Sequence, residues 1–239
     1  MNIALIGYGK MGKEIEQIAL SRSHKIVLKV DITNATTYSV DDLKKADVAI
    51  EFSTPAAVTT NIYKCFDAGV PIVVGTTGWL GNLNDVKQKC IEKNQTLFYA
   101  SNYSIGVNLF FRLNEYLAKL MNAYPEYNVA MEEIHHVHKL DSPSGTAISL
   151  ANQIIERSGS KDKWVNNPSS QKNELEIISK RIDEVPGTHT VTYASAVDEI
   201  SITHLAHNRK GFALGAVVAA EWTMGKKGIF GMNDLMSNG

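Results

Sequence analysis

Five short apolar runs recur through the first hundred positions: IALI (3–6), KIVLKV (25–30), DVAIEFS (47–53), PIVVGTT (71–77) and TLFYAS (96–101). Between them, apolar residues return at helical spacing near 11–21, 55–68 and 82–93. Runs apolar on both faces suit parallel strands covered on both sides, and the intervening helices are the crossovers such strands need. The pattern predicts a Rossmann-type, doubly wound α/β domain with a parallel sheet. Pro55 follows Ser53 and Thr54, which predicts a hydroxyl cap with proline at the first helical position.

After Asn102 the pattern changes. A long helical period over 105–123 leads into a strand-like stretch at 127–138, then into a helix from about Ser144 to Arg157. Residues 158–173 have loop composition. ELEIISKRI (174–182), HTVTYAS (189–195) and EISITHLAH (199–207) alternate apolar and polar residues and predict antiparallel strands of a second, mixed α/β domain. GFALGAVVAAEWTMGKK (211–227) is helical and suited to pack back on the first domain.

Composition narrows the partners. Lys and Arg number 24 against 25 Asp and Glu, so no basic footprint for nucleic acid exists. No apolar run approaches the ~18 residues of a membrane span, and Met1 leads directly into Ile3–Ile6 with no basic leader region. A cytoplasmic protein is expected. Cys65 and Cys90 are the two cysteines, each within a predicted helix, and both read as buried thiols.

Two stretches carry chemistry. Gly7-Tyr8-Gly9-Lys10-Met11-Gly12 follows the first strand and opens the first helix, the context in which G-x-G-x-x-G holds a dinucleotide pyrophosphate. Asp31, at the end of the second strand, stands where an acid accepts the adenosine ribose hydroxyls, which leans towards NADH over NADPH, though Lys10 and Lys29 soften that lean. Gly75-Thr76-Thr77 and Ala100-Ser101-Asn102-Tyr103 follow later strands at the same rim, where small residues let a nicotinamide approach the backbone.

The second stretch is EEIHHVHKLDSPSGT (132–146). Three histidines, His135, His136 and His138, invite a metal reading, but there is no HExxH or CxxC, and the other histidines are His24, His189, His204 and His207. No metal is expected. Ser144 lies in P-S-G-T rather than in a G-x-S-x-G elbow, which removes acyl chemistry. Strand alternation places Glu133, His135, Val137 and Lys139 on one face and Glu132, His136 and His138 on the other, so that His135 and Lys139 can act together. Ser144, Gly145 and Thr146 start a helix whose hydroxyls and free N–H groups form an anion site.

The run Glu133 to Ala147, E-I-H-H-V-H-K-L-D-S-P-S-G-T-A, closely resembles the signature of the dihydrodipicolinate reductases, also called 4-hydroxy-tetrahydrodipicolinate reductases. G-T-T-G at 75–78, A-S-N-Y-S-I-G-V-N at 100–108, P-G-T-H at 186–189 and R-K-G-F-A-L-G-A at 209–216 are consistent with it. The resemblance implies NADH- or NADPH-dependent reduction of a cyclic dicarboxylate in lysine and diaminopimelate synthesis. It implies His135 as general acid/base, Lys139 as proton donor, His136 as a substrate ligand, and Gly145 and Thr146 as the turn holding a carboxylate. It further implies a Rossmann domain over 1–104 completed by 209–239, a substrate and assembly domain over 105–208, and a homotetramer in which the apolar alternation at 189–207 faces partner subunits. The chain is short between Asp31 and the third strand, and roles for Lys163, Lys172 and Arg181 do not transfer. Two other classes stay open: another two-domain dehydrogenase sharing the Rossmann half, and a non-catalytic nucleotide sensor.

Overall fold

The computed structural model describes residues 1–208 and 210–237. Arg209, Asn238 and Gly239, parts of the expected C-terminal return, lie outside the described residues. The chain runs β1 (Asn2–Ile6), α1 (Lys10–Ser21), β2 (Lys25–Val30), α2 (Val40–Leu43), β3 (Val48–Glu51), α3 (Val58–Ala68), β4 (Ile72–Val74), α4 (Leu83–Glu92) and β5 (Thr96–Tyr99). It continues through α5 (Ile105–Met121), β6 (Asn128–His135), α6 (Gly145–Arg157), β7 (Lys163–Val165), β8 (Glu174–Arg181), β9 (Thr188–Ala194) and β10 (Glu199–Leu205). It closes with α7 (Lys210–Thr223), β11 (Gly228–Phe230) and α8 (Met232–Met236). Packing separates two units, Met1–Ile105 with Lys210–Gly239, and Gly106–Arg209.

The first unit is a parallel sheet in the order β11-β5-β4-β3-β1-β2. On one face, Ile15 and Ala19 of α1 and Ala216, Val217 and Ala220 of α7 pack against Ile3, Leu5, Ile50 and Phe98. On the other, Ile62, Cys65 and Phe66 of α3 and Val86 and Cys90 of α4 cover Ala4, Ile6, Ala49, Ile72 and Leu97. Burial of both faces is why β1, β3, β4 and β5 read as unbroken apolar runs, whereas β2, at the sheet edge, alternates exposed and half-buried residues. Both cysteines are buried free thiols. Arg22 and His24, just after α1, both bind Glu221 of α7, at 2.7 Å each, and tie the C-terminal return to the first crossover.

The chain steps from β1 to β2 on one side and to β3 on the other, so the sheet has its topological switch between β1 and β3. The segment 31–47 contributes one helical turn, α2, and has no room for a further crossover and strand. Helix α3 starts at Val58, later than Pro55 suggested. Residues 55–57 form a turn whose Thr54 carbonyl accepts the Ala57 and Val58 N–H groups, and the Ser53 hydroxyl donates to Glu51 instead of capping a helix.

The second unit is a mixed sheet, β10-β9-β6-β8-β7, with α5 and α6 on one face. β9 is antiparallel to β6 and to β10, as their alternation predicted. β8 instead runs parallel to β6, because α6 is a crossover that returns the chain in the same direction. β7 lies inside the stretch read as loop. Val191 and Tyr193 of β9 point into the core with Phe110, Ala118, Leu150 and Ile154. The apolar residues of β9 are thus covered within the chain, whereas Ile200 and Leu205 of β10 are exposed, and the two strands pair the hydroxyls of Thr190 with Thr203 and of Thr192 with Ser201.

Leu150 sits fully buried between α6 and this sheet. Leu150→Ala is expected to destabilise the second unit by about 2 to 5 kcal/mol, because the cavity relaxes only in part. Urea unfolding followed by hydrogen exchange should show the loss in β6, β8 and β9 amides, with β1 and β3 protection retained.

Candidate active site

The glycine loop is built by close contact. Gly7 has φ +95°, and a Cβ there would lie 2.0 Å from the Phe52 carbonyl oxygen. A Cβ on Gly12 would lie 2.5 Å from the Gly7 oxygen. Only glycine allows the turn at the first position and helix contact at the second. Gly9 is the N-cap of α1, exposed, with no side-chain cap and no acid in the first turn. The first N–H groups of α1 therefore face an open surface, where a pyrophosphate fits. Lys10 is exposed and Met11 half-buried on that first turn.

Tyr8 and Lys29 both bind Glu16, Lys29 at 2.6 Å, and Lys29 lies 4.8 Å from the Tyr8 ring centroid. Lys29 is thus engaged away from Asp31. Thr33 donates its N–H and its hydroxyl to Asp31 Oδ1 at 2.7 and 2.6 Å, which lowers the Asp31 carboxyl below its ordinary range. Asp31 stays ionised.

The two later rim loops divide into buried and exposed members. Thr76 donates to Glu51 Oε2 at 2.6 Å and accepts the Ser53 N–H at 2.8 Å, so its hydroxyl is internal. Gly75, half-buried, and Thr77, exposed, remain at the rim. Ala100, Ser101 and Asn102 are accessible, Asn102 accepting the Ser104 N–H. Tyr103 is turned into the core and donates to the Val74 carbonyl at 2.7 Å, with its own carbonyl packed against Gly215 of α7. Glu51, which sequence reasoning missed, has no exposed surface, and burial pushes its carboxyl up against hydrogen bonds from Ser53, Thr76 and Asn61.

In the second unit, β6 ends at His135. Alternation buries Val129, Met131, Glu133 and His135 on one face, the first two in the apolar core and the last two beyond its edge. His135 Nδ1 is in ion-pair contact with Glu133 Oε2. Arg181, beside His135 at the end of β8, reaches Glu133 Oε1 at 3.0 Å, and the Ser144 N–H reaches the same oxygen at 3.3 Å. His189 of β9 stands edge-on to His135, ring centroids 5.1 Å apart, and its Nε2 is 3.1 Å from the Ser144 hydroxyl.

The strand does not extend to Lys139, contrary to the alternation expected for it. Lys139 lies in the turn after β6 and binds both Asp141 oxygens, at 2.7 and 2.9 Å. His136 is half-buried, whereas Val137 and His138 are exposed. Ser144 caps α6 by accepting the Ala147 N–H at 3.2 Å, and it is buried against His189. Its hydroxyl is internal rather than part of an open anion site. Gly145 is exposed and Thr146 half-buried, so of the residues expected to form an anion site these two are the accessible ones.

Burial alone would raise the Glu133 carboxyl, but hydrogen bonds from His135, Ser179 and Arg181 and the His135 charge outweigh it and hold it at about 2. Burial, then the neighbouring His135, lowers His189 to about 4, so its ring is neutral near pH 7. Glu133, His135 and His189 also gather ligand atoms within 4.8 Å of one another, a spacing a metal could use. Arg181 on Glu133 places a cation in that cluster and disfavours a second one. Glu133, Arg181 and His189 were missed as partners of His135. Only Glu133 carried a signal, two residues before His135 on the same strand face.

Comparisons with known proteins agree across the chain. The family model described as dihydrodipicolinate reductase, N-terminus, matches residues 1–103, and the C-terminus model matches 106–236. The chain belongs to the dihydrodipicolinate reductase family. A 4-hydroxy-tetrahydrodipicolinate reductase of Christiangramia forsetii is 50% identical over 238 residues, covering 100% of this chain and 98% of that one. One of Methanosarcina mazei is 33% identical over 263 residues, covering 99% of each. The structure of a dipicolinate-bound dihydrodipicolinate reductase from Paenisporosarcina sp. TG-14 shares the fold, with TM-score 0.78, 23% identity and 99% of each chain covered.

The reductase cluster makes acid stability directional. The unfolded chain binds a proton at His189 near its ordinary 6.5, and the folded chain only near 4, so stability falls as pH drops between those values, by roughly 3 kcal/mol. Glu133 acts lower, losing its contribution as pH falls from its ordinary 4.5 towards about 2. Urea midpoints measured from pH ~7 to ~4 should decline in the wild type and decline less in His189→Gln; equal slopes would assign the loss elsewhere.

Proposed function

We propose that the chain is a 4-hydroxy-tetrahydrodipicolinate reductase of lysine and diaminopimelate biosynthesis, acting in the cytoplasm. It converts (2S,4S)-4-hydroxy-2,3,4,5-tetrahydrodipicolinate to (S)-2,3,4,5-tetrahydrodipicolinate with loss of water, using NADH or NADPH. The observation that carries the reading is the convergence of His135, Glu133 and His189 on the N-terminal end of α6, in a chain matched to this family along its length. Among the described residues no helix is long and apolar enough to cross a membrane.

The cofactor fits the glycine loop: Gly7 and Gly12 permit the tight turn and the close helix contact that shape it, and the uncapped start of α1 accepts the pyrophosphate. Tyr8, Lys10 and Met11 border that surface, and Asp31 receives the ribose hydroxyls. Gly75, Thr76, Thr77, Ala100, Ser101, Asn102 and Tyr103 form the rim for the nicotinamide end, Thr76 and Tyr103 supporting it from within through Glu51 and the Val74 carbonyl. When bound, the reduced nicotinamide supplies the hydride. Asp31, ionised and with Lys29 drawn to Glu16, repels a 2′-phosphate and favours NADH.

Gly145 and Thr146 receive a substrate carboxylate at the start of α6, and Ser144 shapes that turn as its cap. His136 contributes a further substrate contact. His135 and Lys139 hold protons at the reacting ring, where negative charge that builds on the conjugated system is stabilised and then protonated. Lys139 is held for that role by Asp141, a neighbour in the same turn.

The test is nicotinamide oxidation with the condensation product of pyruvate and aspartate semialdehyde. His135→Ala and Lys139→Ala should each lower kcat by about 10²- to 10⁴-fold, dipicolinate should compete with substrate, and NADH should outperform NADPH until Asp31→Ala narrows the gap. Unchanged turnover in both variants would sink the catalytic assignment.

The family resemblance also leads us to propose a homotetramer, with the outward hydroxyl face of β9 and β10 as its contact. Light scattering should give four copies, and Thr192→Lys should reduce that number; a monomer at all concentrations refutes it.

A further inference from the structure

We propose that Glu133 is a positioning residue for His135, forming with it a carboxylate–imidazole dyad that keeps the proton on Nδ1 and presents Nε2 to the substrate. The inference rests on the reductase reading above and adds to it a defined tautomer and a residue outside the substrate's reach.

Three observations converge. Glu133 has no exposed surface, so its carboxylate addresses only protein groups. Its two oxygens are divided: Oε2 meets His135 Nδ1, while Oε1 receives Arg181 at 3.0 Å and the Ser144 N–H at 3.3 Å. Arg181 and the start of α6 therefore hold one oxygen and aim the other. An ionised carboxylate accepts hydrogen bonds only, so the ring nitrogen facing it must be the one that bears hydrogen.

The other nitrogen is kept clear by backbone. Gly187 has φ +155°, and a Cβ there would lie 3.0 Å from His135 Nε2. Absence of a side chain leaves Nε2 the less crowded end of the ring. The proton exchanged with the substrate is the one at Nε2; the Nδ1 proton remains on the ring throughout. Arg181 gains a role different from direct substrate binding, since its guanidinium also donates to the Asp141 carbonyl at 2.6 Å and so braces the turn that carries Lys139.

The measurement is ¹⁵N histidine NMR on the full chain without ligands, raised in pH until His135 is neutral, with His135→Asn to assign the signal. The wild type should show the Nδ1–H tautomer. An Nε2–H wild type overturns the proposal, with no variant needed. Glu133→Gln, whose amide can either donate or accept, should mix the tautomers and lower kcat about 10- to 100-fold with KM nearly unchanged, and Glu133→Asp should recover part of the rate. Wild-type kcat in Glu133→Gln also overturns it. A wild type with the expected tautomer and no turnover refutes the reductase reading while leaving the dyad standing.

Discussion

A carboxylate without solvent exposure is tolerable only when its charge is matched inside the protein, and Glu133 makes that demand on four elements at once. The end of β8 supplies Arg181, the end of β6 supplies His135, and the start of α6 supplies the Ser144 N–H. β9 adds His189, which joins through the Ser144 hydroxyl. The apolar core of α5, α6 and the sheet ends where these residues begin, so the polar cluster is buried at the edge of that packing. Disturbing any partner leaves a buried charge uncompensated, which links the stability of this unit to the geometry of its histidine.

The first unit also places a buried acid at the end of a strand, with a different electrostatic outcome. Glu51 is surrounded by Ser53, Thr76 and Asn61, neutral groups that leave desolvation in command and its carboxyl raised. Glu133 meets a guanidinium and an imidazole, and its carboxyl is lowered. One acid shapes a rim loop by hydrogen bonding; the other supplies a fixed negative charge. The partner type decides, not the depth of burial.

Much of the architecture could be read from periodicity. The residues of β1, β3, β4 and β5 were visible as two-faced apolar runs because their strands are buried on both sides, KIVLKV because its residue types suit a strand although β2 is a largely exposed edge, and α5 and α6 because their apolar stripes recur at helical spacing. Other features were not. β7, KWV within a polar stretch, and β11, GIF between a lysine pair and Gly231, lack the unbroken apolar run that marked the equally short β4, and the parallel pairing of β6 with β8 depends on how α6 returns the chain. The 127–138 stretch looked like one strand because its residue types suit one, yet pairing stops at His135 and the turn that follows sends Lys139 to Asp141.

The sequence by itself determined the local chemistry: a glycine loop between strand and helix, a hydroxyl cap opening α6, and a histidine pair with a lysine nearby, each a consequence of residues adjacent along the chain. Tertiary structure alone decided which of these groups are available. It turned Thr76, Tyr103 and the Ser144 hydroxyl inward, drew Lys29 away from Asp31, and chose Glu133 as the partner of His135 with Arg181 and His189 brought from distant strands. The reason is physical: a residue type specifies what a group can do, whereas burial and the charges packed around it, assembled across long separations in the chain, set its direction, its proton and its partner.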